Sequence, residues 1–156
     1  MKKLGTLLAL ASLGLGAGAA LAAGGTTVAT GKTSLGTILV GPNGHTLYMF
    51  SRDTKTKSNC SGECATNWPP LTTHGKPKAV AGAKAAELGT ISRGGGVEQV
   101  TYDGHPLYYY IADTAKGQTS GQGTDVDGGW WYVLSPSGSV IKKGSSKSGG
   151  SGGSGW

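Results

Sequence analysis

Hydrophobic positions along this chain fall in short runs broken by glycine, asparagine, aspartate and proline. Thr37-Ile38-Leu39-Val40 and Val97-Glu98-Gln99-Val100-Thr101-Tyr102 have the length and β-branched content of strands. Asn43-Gly44 follows the first and Asp103-Gly104 the second, and such pairs supply the positive φ angles of tight hairpin turns. The returning segments, Thr46 to Phe50 and Pro106 to Ile111, carry the aromatic and bulky residues that suit a pleated surface. Side chains alternate along a strand, so Tyr48 and Phe50 share one face, as do Tyr108 and Tyr110. Trp130 to Leu134 reads as a further strand, which Ser135-Pro136-Ser137-Gly138 turns back into Val140-Ile141. Pro69-Pro70 after Trp68 remove two ladder donors, so the matching element of the first half cannot be a full strand. Between the halves, Lys76 to Leu88 is rich in Ala and Lys and predicts one short helix around Ala81 to Glu87.

The two hairpins are copies. Gly44-His45-Thr46-Leu47-Tyr48-Met49-Phe50-Ser51-Arg52-Asp53-Thr54 aligns without a gap on Gly104-His105-Pro106-Leu107-Tyr108-Tyr109-Tyr110-Ile111-Ala112-Asp113-Thr114. Further on the match loosens, with Asn67-Trp68 and Gly129-Trp130 in similar places. The expectation is an all-β domain: two tandem pseudo-symmetric β-hairpin repeats packed as one small sandwich- or barrel-like unit. It would span residues 33–143, with repeat one at about 33–75 and repeat two at about 90–143.

Composition changes the picture at the ends. Lys2-Lys3, the apolar stretch Leu4 to Ala19 and Ala20-Leu21-Ala22 have the order of a secretory signal peptide, residues 1–22, with the mature chain starting at Ala23. The apolar stretch is too short and glycine-rich for a membrane span, so no transmembrane segment is expected after cleavage. Residues 23–32 then form a flexible N-terminal segment, and the Gly/Ser-rich residues 144–156 a disordered tail. The net charge of +6 includes Lys2 and Lys3. What remains is mild and scattered, which argues against nucleic acid as a partner and leaves a cell-envelope role open. The predicted location is the periplasm or the outside of the cell, where Cys60 and Cys64, the two cysteines of the chain, most simply form a disulfide.

The doubled motif resembles a bacterial family of secreted or lipoprotein repeats marked by Y-x-(F/W/Y)-x-x-D. Here that motif is Tyr48-Met49-Phe50-Ser51-Arg52-Asp53 and again Tyr108-Tyr109-Tyr110-Ile111-Ala112-Asp113. The likeness extends to G-H-x-L-Y before it, to Cys60-x3-Cys64-x3-Trp68-Pro69-Pro70-Leu71, and to Gly129-Trp130. The resemblance implies a repeat of unknown function. Many such proteins look like lipoproteins, whereas this chain has no lipid-accepting Cys at its cleavage site.

Candidate chemistry is sparse. His45 and His105 hold equivalent places and are the candidate metal or haem ligands, should the two imidazoles converge. His74 has no counterpart. Asp53 and Asp113 suit Asx-turns that close the aromatic strand, a structural role shared with Tyr48, Phe50, Tyr108 and Tyr110. Asp125-Val126-Asp127-Gly128 has a faint look of a calcium loop but lacks the distant Glu. The many aromatics read first as core and second as a sugar-stacking face. No nucleophile elbow, H-E-x-x-H or phosphate-binding glycine loop occurs, and no catalytic residue is expected. The reading is a non-enzymatic exported binding or scaffold protein of unknown ligand and unknown cofactor. The alternatives are a periplasmic metal- or haem-binding protein and a glycan-binding surface module.

Overall fold

The computed structural model describes residues 24–143. The expected signal segment and mature start, and the Gly/Ser tail, lie outside these residues. Strands dominate the regular structure, arranged in three sheets of which none closes into a barrel. The first sheet runs β2-β1-β5, from β1 (Thr27–Thr33), β2 (Gly36–Val40) and β5 (Lys78–Ala79). The second runs β11-β10-β3, from β3 (Tyr48–Phe50), β10 (Gly129–Leu134) and β11 (Val140–Ile141), with β9 (Thr124–Val126) also on β10. The third runs β4-β7-β6, from β4 (Thr72–Thr73), β6 (Leu88–Ser92) and β7 (Glu98–Tyr102), with β8 (His105–Pro106) on β7.

Residues 23–32, expected to be flexible, instead supply most of β1. Val28 is fully buried, and β1 pairs with β2 from Ala29↔Val40 to Thr33↔Gly36. A strand as apolar as Ile38-Leu39-Val40 needs a partner on each edge, and the threonine-rich segment before it is the nearest chain available. The short helix expected over Ala81 to Glu87 shrinks to a single 3₁₀ turn at Ala85–Glu87. Ala81 and Gly82 have positive φ, which no right-handed helix accommodates, and the Ala81 carbonyl is taken by the backbone N–H and hydroxyl of Thr30. Also unforeseen are β6, which pairs along the whole of β7, the short strands β4, β5 and β9, and a five-residue helix, α1 (Glu63–Asn67), inside the loop that follows the first motif.

The two hairpin turns differ. Asp103 and Gly104 both have positive φ, and Tyr102 pairs directly with His105, the two-residue turn the sequence predicts. In the first copy only Gly44 is left-handed, and the loop from Gly41 to His45 is longer, closed by Gly41 N–H donating to the His45 carbonyl.

Strand alternation divides the interior in two. Ile38, Val40, Tyr48, Phe50, Trp68, Tyr108, Trp131 and Val133 gather on one side with Cys60 and Cys64. Leu39, Leu47, Met49, Val100, Tyr102, Leu107 and Leu134 gather on the other with Val28 and Leu71. Segments β2, β3 and the end of β10 are therefore covered on both faces, which is why Tyr48, Met49 and Phe50 are all buried.

Candidate functional site

The two motifs meet at a pseudo-two-fold axis. Tyr48 and Tyr108 face each other as an antiparallel bridge, each N–H donating to the other's carbonyl at 2.8 and 3.0 Å. The strand that follows each tryptophan then crosses to the opposite repeat. Trp131-Tyr132-Val133 pairs with Phe50-Met49-Tyr48 of the first motif, while Pro70 bridges Tyr108 of the second. Proline has no N–H, so this second pairing is a single bridge where the first is a three-residue ladder. For the same reason the segment Pro106 to Ile111 is strand only at Pro106, the last residue of β8, with Tyr108 a single bridge beyond it.

The side chains cross as well. The Tyr48 phenol donates to Asp113 Oδ2 at 2.5 Å, and the Tyr108 phenol to Asp53 Oδ2 at 2.6 Å. Each motif tyrosine is thus bonded to the aspartate of the other motif, not to its own. The second carboxylate oxygen ties down a loop: Asp53 Oδ1 accepts from Asn59 N–H at 2.7 Å, and Asp113 Oδ1 from Ser120 N–H at 2.9 Å. These reach six and seven residues ahead, where an Asx-turn, the role expected of both aspartates, would reach two. The carboxylates close whole loops rather than a strand end.

Burial pushes the phenols of Tyr48 and Tyr108 well above their ordinary value, helped by the neighbouring carboxylate in each case. Burial also raises Asp53, opposed by its bonds from Asn59 and Tyr108 and by the charge of Arg93. Arg93 links this corner together, donating to Ser58 Oγ (2.7 Å), Gln99 Oε1 (2.8 Å) and the Cys60 carbonyl (2.6 Å). Ser58 Oγ in turn lies 2.6 Å from the Tyr108 oxygen. The Cys60–Cys64 disulfide is formed and spans the start of α1.

Between the two tyrosine–aspartate pairs stands a column of stacked rings in the order Tyr110, Trp68, Trp131, Phe50. Their centroid spacings are 4.1, 3.9 and 4.3 Å, and the two indoles are parallel to within 1°. Tyr48 meets Trp68 edge-on at 5.4 Å, and Tyr108 meets Trp131 edge-on at 5.1 Å. The counterpart of Trp68 is therefore Trp131, which is fully buried, and not Trp130, which is 37 % exposed. Sequence alignment misplaces it because the loop after the second motif is longer than that after the first.

With this geometry in view, the comparisons with known proteins have a physical meaning. A family model described as a secreted repeat of unknown function matches residues 29–72 and again residues 89–135. The chain belongs to that family. Searches of curated proteins and of solved structures gave no match. Both secreted-repeat matches run through the motif and its tryptophan, so each repeat contains one half of the crossed centre. Membership marks the protein as exported.

The remaining candidates of the secreted repeats fall elsewhere. His45 and His105 each lie three residues before the antiparallel Tyr48–Tyr108 bridge, and so on opposite sides of it along the chain direction. The hairpin turns beside them pack on different loops: a methyl carbon on Gly44 would come within 2.9 Å of the Lys116 stem, and one on Gly104 within 2.9 Å of the Lys55 stem. His105 is half-buried, which lowers it from its ordinary value despite Asp103 and Asp53 nearby. His74 is exposed and lines a separate cavity of about 420 Å³ with Lys76, Leu88 and Glu98. Among the described residues no three His, Cys, Asp or Glu side chains group as metal ligands. Asp127 and Gly128, with φ of 57° and 77°, form the tight turn of the β9–β10 hairpin, which accounts for the calcium-like pattern there.

Of the exposed large hydrophobic side chains, Ile111 and Val126 lie on one surface and Trp130 on another. A groove of about 350 Å³ runs beside the column's open end, lined by Trp68, Tyr110, Ile111, Thr124 and Val126. On the outer side of β10, Trp130 lies parallel to Tyr132 with centroids 6.1 Å apart. Among the described residues no helix is long and apolar enough to cross a membrane.

Proposed function

We propose that this chain is an exported, non-enzymatic binding or scaffold protein of the cell envelope, in which the repeat motif holds the two halves together and leaves the outer surface free for recognition. The observation that carries this reading is the crossed pairing of Tyr48 with Asp113 and Tyr108 with Asp53. It accounts for the Tyr and Asp of both motifs inside the fold, at short charge-assisted hydrogen bonds. A motif used this way positions loops; it does not face a substrate.

Recognition by an aromatic surface is supported by Trp130, partly exposed and parallel to Tyr132, a flat ring pair of the kind on which sugar faces stack. The test is co-sedimentation of the purified protein with isolated envelope polysaccharide, comparing wild type with Trp130→Ala and Tyr48→Phe. The reading expects binding to fall in Trp130→Ala and to persist in folded Tyr48→Phe. Loss of binding in Tyr48→Phe, with its near-ultraviolet dichroism unchanged, would give the motif a direct role with ligand and overturn the reading.

A further inference from the structure

The rings and carboxylates at the centre have a chemical capacity that a merely structural lock does not need. We propose that the two crossed tyrosine–aspartate pairs, joined through the Trp68–Trp131 stack, form a sink for one-electron oxidising equivalents that enter at the Tyr110 end of the column. This goes beyond the binding reading and does not depend on it.

Three features of the geometry support it. First, the column has one open end. Tyr110 is only partly buried and borders the groove with Trp68, Ile111 and Val126, whereas the far end is closed by buried Phe50, the ring hardest to oxidise. Second, every ring is in contact with the next, and each motif tyrosine touches an indole, Tyr48 on Trp68 and Tyr108 on Trp131. An electron vacancy at Tyr110 reaches either tyrosine through contacts alone. Third, the places where the vacancy can settle are set by proton acceptors. The Trp131 indole nitrogen is buried with no hydrogen-bond partner, so an oxidised Trp131 has no base to take its proton. Tyr48 and Tyr108 each already point their proton at a carboxylate oxygen, 2.5 and 2.6 Å away.

The step balances within the molecule and one named class of oxidant. An organic peroxyl radical at the groove takes one electron and, with a proton from water, becomes a hydroperoxide. The electron comes from Tyr108 by way of the stack. The phenolic proton crosses to Asp53 Oδ2, leaving a neutral phenoxyl that accepts a hydrogen bond from the now neutral acid. Tyr48 and Asp113 do the same, so a molecule takes up two equivalents. No buried charge is created at either site, because the proton moves as the electron leaves.

The experiment is flash oxidation of the purified protein by photogenerated tris(bipyridine)ruthenium(III), followed by transient absorption and electron paramagnetic resonance. The proposal expects a long-lived tyrosyl signal whose formation rate is independent of buffer-base concentration and slower in D₂O. It expects several-fold less of that signal in the Tyr48→Phe/Tyr108→Phe double variant, with near-ultraviolet dichroism as the control for folding. An undiminished tyrosyl yield in the folded double variant would overturn it. Should the variant not fold, a wild-type rate that climbs with buffer base would overturn it equally, since solvent rather than Asp53 or Asp113 would then be taking the proton.

Discussion

The two tyrosine–aspartate pairs occupy equivalent places and are held in different ways. Around Asp53 the loop is fixed by a covalent bond and by hydrogen bonds from a cation: a disulfide, a short helix, and Arg93 bonded at once to Ser58, Gln99 and the Cys60 carbonyl. Around Asp113 the loop has neither cysteine nor arginine and closes instead by contact. Gly121 lies so near the centre that a methyl carbon there would sit 2.6 Å from the Trp68 ring and 3.1 Å from Tyr48, and its N–H donates to the Tyr48 oxygen at 3.2 Å. Asp113 is 4 % exposed, whereas Asp53 is half-buried. One motif therefore tolerates two loop designs. What the halves share is the pair and the ring beside it; how the loop is pressed onto them differs.

The comparison can be broken at its shared part first. Trp68→Ala removes the ring that touches Tyr48, Tyr110 and Trp131, and should cost about 3–5 kcal/mol in urea denaturation. A loss below that range would mean the column is not central to stability. The next effect separates the halves. Asp113→Ala leaves Tyr48 with a donor, Gly121 N–H, but no acceptor, while after Asp53→Ala the Tyr108 phenol can still donate to Ser58. The expected costs are about 2–3 kcal/mol for Asp113→Ala and about 1 kcal/mol for Asp53→Ala. Equal or reversed values would refute the asymmetry. Replacing Cys60 and Cys64 together by Ala should cost about 2 kcal/mol, the small effect of a short closed loop, and should lower the protection of Asn59 and Cys60 amides while leaving those of Ser120 and Gly121 unchanged. Hydrogen exchange followed residue by residue reads that difference.

The smallest effect is alkaline. Both phenols are raised, so the folded state keeps protons that the unfolded chain gives up above about pH 10. The stability they contribute is complete below that pH and declines as pH rises beyond it. Denaturation midpoints measured from pH 8 to 11 should fall only above pH 10, and less steeply in Tyr108→Phe. A midpoint already falling between pH 8 and 9 would contradict the assignment.

Much of this architecture was legible in the residues. The gapless alignment of Gly44–Thr54 on Gly104–Thr114 announced two copies, Asp103-Gly104 announced a two-residue turn, and the alternation of Leu47, Tyr48, Met49 and Phe50 announced both faces of β3. The crossing was not. Side-chain period and turn chemistry are local, and nothing local tells Tyr48 whether its carboxylate is five residues away at Asp53 or sixty-five away at Asp113. Trp130 was favoured over Trp131 for a related reason: adjacent indoles differ only in which face of β10 they occupy, and register settles that. Arg93, Ser58 and Gly121 carried no signal, since a lone arginine, a loop serine and one glycine among many become meaningful only once the chain has brought Tyr108, Cys60 and Trp68 beside them. The helix expected near Ala81 failed because composition favours helix there while two left-handed residues forbid it.

The central claim is that each motif tyrosine belongs to the other motif's aspartate, and a double-mutant cycle tests it most directly. Tyr48→Phe would be combined with Asp113→Ala and, separately, with Asp53→Ala, and unfolding free energies measured for all single and double variants. The crossed arrangement predicts a coupling of about 1–2 kcal/mol between Tyr48 and Asp113 and additivity between Tyr48 and Asp53. Coupling of Tyr48 to Asp53, with additivity toward Asp113, would contradict it.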